Sequence, residues 1–196
     1  MLCIAGTNII MSLWDLGGAK QFTTMLPMVC VDAVAMLFLF SLDKPESLDS
    51  VKEWYRQVRA LNQVREPLLR RWRRHRHTPA ATPAQTCVPI LVGTKFDAFY
   101  GQEDADKAPI IKKARKYAKS MRAPLVFVSS SHGINVSKLF KLVFFRVLDV
   151  PCTISEKTAD HEPLLEYSKA AAAAAAAAAE ATGSKAVPEA AAAPKE

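Results

Sequence analysis

Two short strings hold residue types that could recognise a nucleotide. Trp14-Asp15-Leu16-Gly17-Gly18 follows one apolar run, and Gly93-Thr94-Lys95-Phe96-Asp97 follows another. A carboxylate ahead of a flexible Gly-Gly suits a Mg²⁺–phosphate contact. Asp15 would hold the cation through a water, and the Gly18 amide would reach the γ-phosphate. Thr94-Lys95-x-Asp97 at a strand end suits guanine, because one carboxylate can accept the ring N–H and the exocyclic amine together. Adenine does not offer that pair of donors. Lys95 would lie along the base and ribose, and the Ser129-Ser130-Ser131 turn could offer a backbone amide to guanine O6. Each string also has a plain structural alternative, since an aspartate before glycines marks a turn and a serine run leads a helix. In this order they read as a guanine-nucleotide switch, in which loss of the phosphate contact frees the segment after Gly18.

The elements that must position these residues follow from periodicity. Ile9 to Leu16, Ala33 to Ser41, Pro89 to Thr94 and Leu125 to Ser129 read as strands, the second apolar enough to be covered on both faces. Asp43 and Glu46 predict a capping box, with Pro45 in the first turn of a helix whose inner face carries Leu48, Val51, Tyr55, Val58 and Leu61. Ile111, Ala114, Ala118 and Met121 predict a second helix; Val136, Leu139, Phe140, Val143 and Val147 predict a third. Alternating strands and helices give an α/β class with a mainly parallel sheet and helices on both faces. Ligands on such sheets sit at the carboxyl ends of the strands, where Asp15, Asp97 and Ser129 to Ser131 are all expected.

Composition narrows the function classes. The net charge of +7 does not describe a basic domain, because Arg65 to His77 alone holds six arginines and two histidines. Cys3, Cys30, Cys87 and Cys152 are far apart and show no ligand spacing, which argues for reduced thiols rather than a zinc site or a disulfide frame. The longest apolar stretch, Met25 to Phe40, is interrupted by Pro27 and Asp32 and is too short to span a bilayer. No signal peptide or prenylation box is evident, so no transmembrane or prenyl anchor is expected.

Val64 to Gln85 interrupts the α/β pattern. It reads in three ways: as a solvated loop, as a patch of arginines around Trp72 for an acidic partner, or as a retained intron. Gln-Val-Arg and Ala-Gln can encode splice-like ends, and excision joins Asn62-Gln63 to Thr86-Cys87 in a helix-to-strand connection of ordinary length. Past Val150 the chain reads as irregular. From Ala170 it has ten consecutive alanines and then an Ala/Pro/Glu/Lys tail, which lacks an amphipathic face to bury.

Asp15 and Asp97 are 82 positions apart, or 60 without the 22-residue segment. With that spacing, the strings SLWDLGG, FTTMLPMVCVDAVAMLFLFSL, SLDSVKEWYRQVR, VPILVGTKFD, SSSHGINVSKLFKLV and EPLLEY make the chain resemble the Ras-superfamily small GTPases. Within them it is similar to the septum-promoting GTP-binding proteins of septation-initiation and mitotic-exit signalling. The resemblance covers roughly Met1 to Tyr167 apart from the insert. It implies a P-loop NTPase (small G protein) fold, a three-layer αβα sheet, here N-terminally truncated and followed by a low-complexity tail.

The expected organisation is an incomplete GTPase domain over 1–150 interrupted by 64–85, a family C-terminal extension over 151–169, and a disordered tail over 170–196. The resemblance implies GTP/GDP and Mg²⁺ as cofactors and a switch segment at Ala19, Lys20, Gln21 and Phe22. It also implies a downstream protein kinase and a GTPase-activating protein complex as partners, with no nucleic acid. The expected location is cytoplasmic with spindle pole body association. GxxxxGK[ST] is not found ahead of Asp15, and Ala19 stands where the family carries glutamine. GTP hydrolysis is expected of the family and is expected to be impaired in this chain. The alternatives are a nucleotide-free pseudo-GTPase module or a non-functional truncated gene model. The clean join at Gln63 and Thr86 predicts that most transcripts lack the codons for 64–85. Reverse-transcription sequencing across the junction checks this, and uniform retention of the segment would count against it.

Overall fold

The apolar run ahead of Gly93 becomes the strand on which the sheet is built. The computed structural model describes residues 2–4, 7–30, 33–61, 87–148 and 152–167, so the 64–85 segment and the alanine tail lie outside the described residues. The described elements are β1 (Leu2–Ile4), β2 (Thr7–Ile9), a 3₁₀ turn (Lys20–Met25), α1 (Leu26–Cys30), β3 (Ala35–Ser41), α2 (Ser47–Leu61) and β4 (Val88–Thr94). They continue with α3 (Phe96–Tyr100), α4 (Asp104–Met121), β5 (Leu125–Phe127), α5 (Val136–Leu148) and β6 (Leu165–Glu166).

Strands β3, β4, β5 and β6 form one sheet in that order. The first three are parallel, with Ala35 opposite Val88 through Ser41 opposite Thr94, and Leu91 opposite Leu125 through Gly93 opposite Phe127. Strand β6 returns antiparallel to β5. Side chains alternate across the pleat. Leu91, Leu125, Phe127, Phe38 and Phe40 join a core with Leu48, Val51 and Val58 of α2 and with Ile111, Ala114, Ala118 and Met121 of α4. Ile90, Val92, Val126 and Val128 join a second core with Leu139, Leu142 and Val143 of α5. Two cores on opposite faces of one sheet make the three layers the sequence predicts.

The structure corrects several sequence expectations. The strand placed at Ile9 to Leu16 ends at Ile9. Among the described residues, strand β2 pairs only with β1, as an antiparallel ribbon, and the following residues through Leu16 are irregular. Asp15 therefore does not sit at a strand end. Strand β3 is not covered on both faces, because Leu39 is 60% exposed. The capping box is absent as well. Ser47, not Asp43, serves the start of α2, its hydroxyl donating to the Lys44 carbonyl (2.6 Å) and accepting from the Ser41 amide (2.9 Å). Asp43 is drawn away by the Lys95 ammonium.

The segment expected to be irregular after Val150 contains β6, with Leu164 and Leu165 fully buried. Asn135 ties it down, its Nδ2 donating to the carbonyls of Phe127 and Pro163, both at 3.0 Å. Arg115 adds contacts to Glu166, Asp160 and the Thr158 carbonyl.

Gly93 marks the closest approach in this packing. A Cβ there would lie 2.8 Å from Phe127 Cδ1 and 3.1 Å from Leu42 Cδ2. The Phe127 ring cannot readily yield, since Phe40, Phe96 and Phe99 all pack against it. Gly93→Ala is expected to cost about 1–3 kcal/mol by overpacking. Urea unfolding checks this, and an unchanged midpoint would show that the ring has room to move.

Candidate functional site

The site is built where β3, β4 and β5 end side by side. Thr94 closes β4, its hydroxyl donating to the Phe40 carbonyl (3.0 Å), and the Leu42 amide donates to the Thr94 carbonyl (3.0 Å). Lys95 then takes a left-handed conformation, φ 60° and ψ 41°, and starts α3. That conformation is costly for a non-glycine residue and persists where the surroundings impose it. Here the Phe96 amide donates to the Val128 carbonyl (3.1 Å), and Phe96 and Phe99 are buried below. The turn places Asp97 in the first turn of α3, facing the loop after β5.

In that loop Ser129 is fully buried, and its amide donates to the Ile134 carbonyl (3.1 Å). Its hydroxyl donates to Asp97 Oδ1 at 2.6 Å. Ser131 Oγ lies 3.0 Å from Ser129 Oγ and 3.0 Å from His132 Nδ1, and that nitrogen is 4.0 Å from Asp97 Oδ2. The Ser129 hydroxyl holds the Asp97 carboxyl below the usual carboxylate range. The group is therefore an ionised acceptor throughout the neutral range.

Lys95 points the other way. Its Nζ donates to Asp43 Oδ2 at 2.8 Å, while Asp43 Oδ1 accepts from the Ser41 hydroxyl. The Lys95 ammonium first, and the Ser41 hydroxyl second, hold the Asp43 carboxyl below its ordinary value. Asp97, Ser129 and Ser131 thus come together, with Thr94 and Lys95 on the adjoining turn and Ser130 exposed. Asp43 and His132 are residues that sequence reasoning missed. A carboxylate two positions past Ser41, the last residue of β3, was the available signal.

The second predicted cluster stands apart. Asp15, Gly17, Gly18, Ala19, Lys20 and Gln21 are exposed, while Phe22 is half-buried. Gly17 is required by packing, since a Cβ there would meet the Phe22 ring at 2.8 Å, whereas Gly18 faces open space. The Phe22 amide donates to the Ala19 carbonyl (3.0 Å), which begins the 3₁₀ turn. No hydrogen bond or ion pair among the described residues joins Asp15 to the Asp97 cluster. No three His, Cys, Asp or Glu side chains among the described residues come together as metal ligands. One exposed carboxylate suits a Mg²⁺ that arrives with nucleotide phosphates and keeps most of its waters, and does not suit a resident ion. No described helix is long and apolar enough to cross a membrane.

A family model described as the Ras family matches residues 1–149. The chain is 46% identical over 166 residues to septum-promoting GTP-binding protein 1 of Schizosaccharomyces pombe, covering 85% of this chain and 73% of that protein. It is 25% identical over 161 residues to the GTP-binding protein rho4 of the same yeast, covering 76% of this chain and 67% of that one. It is 24% identical over 129 residues to the rat Ras-related protein Rab-31, covering 66% of this chain and about half, 53%, of that protein.

The Asp97–Ser129 contact has a pH consequence. A depressed carboxyl stays an acceptor as pH falls through the ordinary carboxylate range and is lost only below it. Ser129→Ala removes the main cause, so the Asp97 pKa is expected to rise and the loss to begin at higher pH. Carbon-detected NMR titration of the Asp97 carboxyl checks this. An unmoved titration would show that the hydroxyl is not the cause.

Proposed function

Because the chain belongs to the Ras family of small GTPases, we propose that it reads guanine nucleotides at the ends of β3, β4 and β5 and serves as a GTP/GDP switch in septation or mitotic-exit signalling. The observation that carries the reading is the Asp97 carboxylate. It is ionised and oriented by Ser129, and stands two residues from a lysine at the mouth of a parallel sheet. With one oxygen oriented, the carboxylate presents acceptors to both guanine donors; the Ser129 amide is engaged by the Ile134 carbonyl, so an amide offered to guanine O6 would come from Ser130 or Ser131. Asp15 would hold Mg²⁺ through a water, and the Gly18 amide would meet the γ-phosphate. When bound, the cation supplies charge neutralisation of the phosphates.

In this reading Ala19, Lys20, Gln21 and Phe22 form the surface that reports the nucleotide state, presented to a downstream protein kinase. Ala19 has no side-chain donor or acceptor to orient an attacking water, so hydrolysis is slow and relies on a GTPase-activating protein complex. The similarity to the septum-promoting protein supports septation signalling as the setting, and a cytoplasmic, spindle-pole-body location is part of the same proposal.

Fluorescent GDP binding to the full chain tests the function. GDP is expected to bind on the order of a hundredfold or more tighter than ADP, since ADP would leave charged acceptors unpaired. Asp97→Asn should erase most of that preference, because an amide cannot accept both donors. Equal binding of GDP and ADP would overturn the reading. Where turnover is measured, Ala19→Gln is expected to raise it about tenfold or more by orienting water.

A further inference from the structure

Asp43 leaves the sheet beside Lys95. Ser41 is paired with Thr94 across β3 and β4, and the Leu42 amide carries the pairing one residue further. The two chains therefore emerge level, and Asp43 meets Lys95 at 2.8 Å. The carboxylate is engaged on both oxygens, by Lys95 Nζ and by the Ser41 hydroxyl, and its side chain is only 28% exposed. Nothing in α2 requires it, because Ser47 supplies the side-chain bonds at that helix start. An ion pair between two freely rotating surface side chains contributes little, since ordering them offsets the attraction. Here the ordering is already in place. Ser41 fixes the carboxylate, and the left-handed backbone at Lys95 fixes the direction in which the lysine starts.

We infer that Asp43 is a positioning residue of the guanine site. By holding Nζ, it stretches the aliphatic stem of Lys95 across the opening between the ends of β3 and β4, and so forms an apolar shelf for the face of the base. Asp43 itself does not touch the nucleotide. It acts through Lys95, while Asp97 reads the base edge. The role rests on the guanine-binding function proposed for this site.

The test uses the full chain and two readouts. In the first, dissociation of fluorescent GDP is timed for Asp43→Asn, Lys95→Met and the double variant. Each single change is expected to speed dissociation about three- to tenfold, as a partly exposed charge pair allows. The double variant should be no faster than Lys95→Met alone, and Asp43→Glu should recover much of the loss. A purely structural Asp43 would instead give additive rates and a lowered thermal midpoint.

The second readout needs no nucleotide: acylation of Lys95 by an amine-reactive ester, followed by mass spectrometry. Asp43→Asn should raise it several-fold by freeing the ammonium. If the unaltered chain binds no GDP, the guanine reading falls and this role with it. If GDP binds but the rates are additive, or if Lys95 reactivity does not respond to Asp43→Asn, the role of Asp43 alone is overturned.

Discussion

Strand β4 has to be covered on two faces and paired on two edges, and the rest of the fold is arranged around that need. Ile90 and Val92 require α5 on one side, and Leu91 requires the α2–α4 layer on the other. Strand β3 takes one edge over seven residues, and β5 takes the other. Gly93 then admits the Phe127 ring against the backbone, and that ring gathers Phe40, Phe96 and Phe99. A strand held this completely leaves little freedom to the turn at its end. Thr94, Lys95 and Asp97 are placed by the core as much as by their own bonds.

The far edge of the sheet has a separate guard. Strand β5 is only three residues long, and an open edge beside it would present unpaired amides and carbonyls. The extension over 152–167 pairs there through β6, and it is fastened by Asn135, Arg115 and Tyr167, whose hydroxyl donates to the Ile154 carbonyl at 2.6 Å. Asn135 also immediately follows Ile134, the residue bridged to Ser129. The extension therefore braces the loop that orients Asp97, which links a terminal segment to the chemistry of the site.

The two candidate clusters differ in how they are held. The Asp97 cluster has buried Ser129, Phe96 and Phe99 beneath it and charge-assisted bonds above. The Asp15 to Phe22 segment rests on the Phe22 ring over Gly17 and one turn of 3₁₀ helix, beside Trp14, which is 74% exposed. Sparse burial and few tertiary bonds lower the free energy needed to rearrange a segment.

By itself the sequence determined the strands and helices whose apolar residues recur strictly: β4, α2, α4 and α5, and with them the α/β class. The same strand ends carry Asp97 and the serine turn, whose contact forms between them. Tertiary structure decided the rest. Ile10 to Leu16 is apolar enough for a strand, yet among the described residues no neighbour pairs with it, and a strand exists only through its partner. Leu165–Glu166 is too short to announce itself, and it is ordered by an open edge on β5 that lies far away in the chain. Asp43 has the type and position of a helix cap, but local pattern carries no knowledge of Lys95. The pairing of β3 with β4 brings that ammonium alongside, and a charge at 2.8 Å outcompetes a backbone amide for the carboxylate.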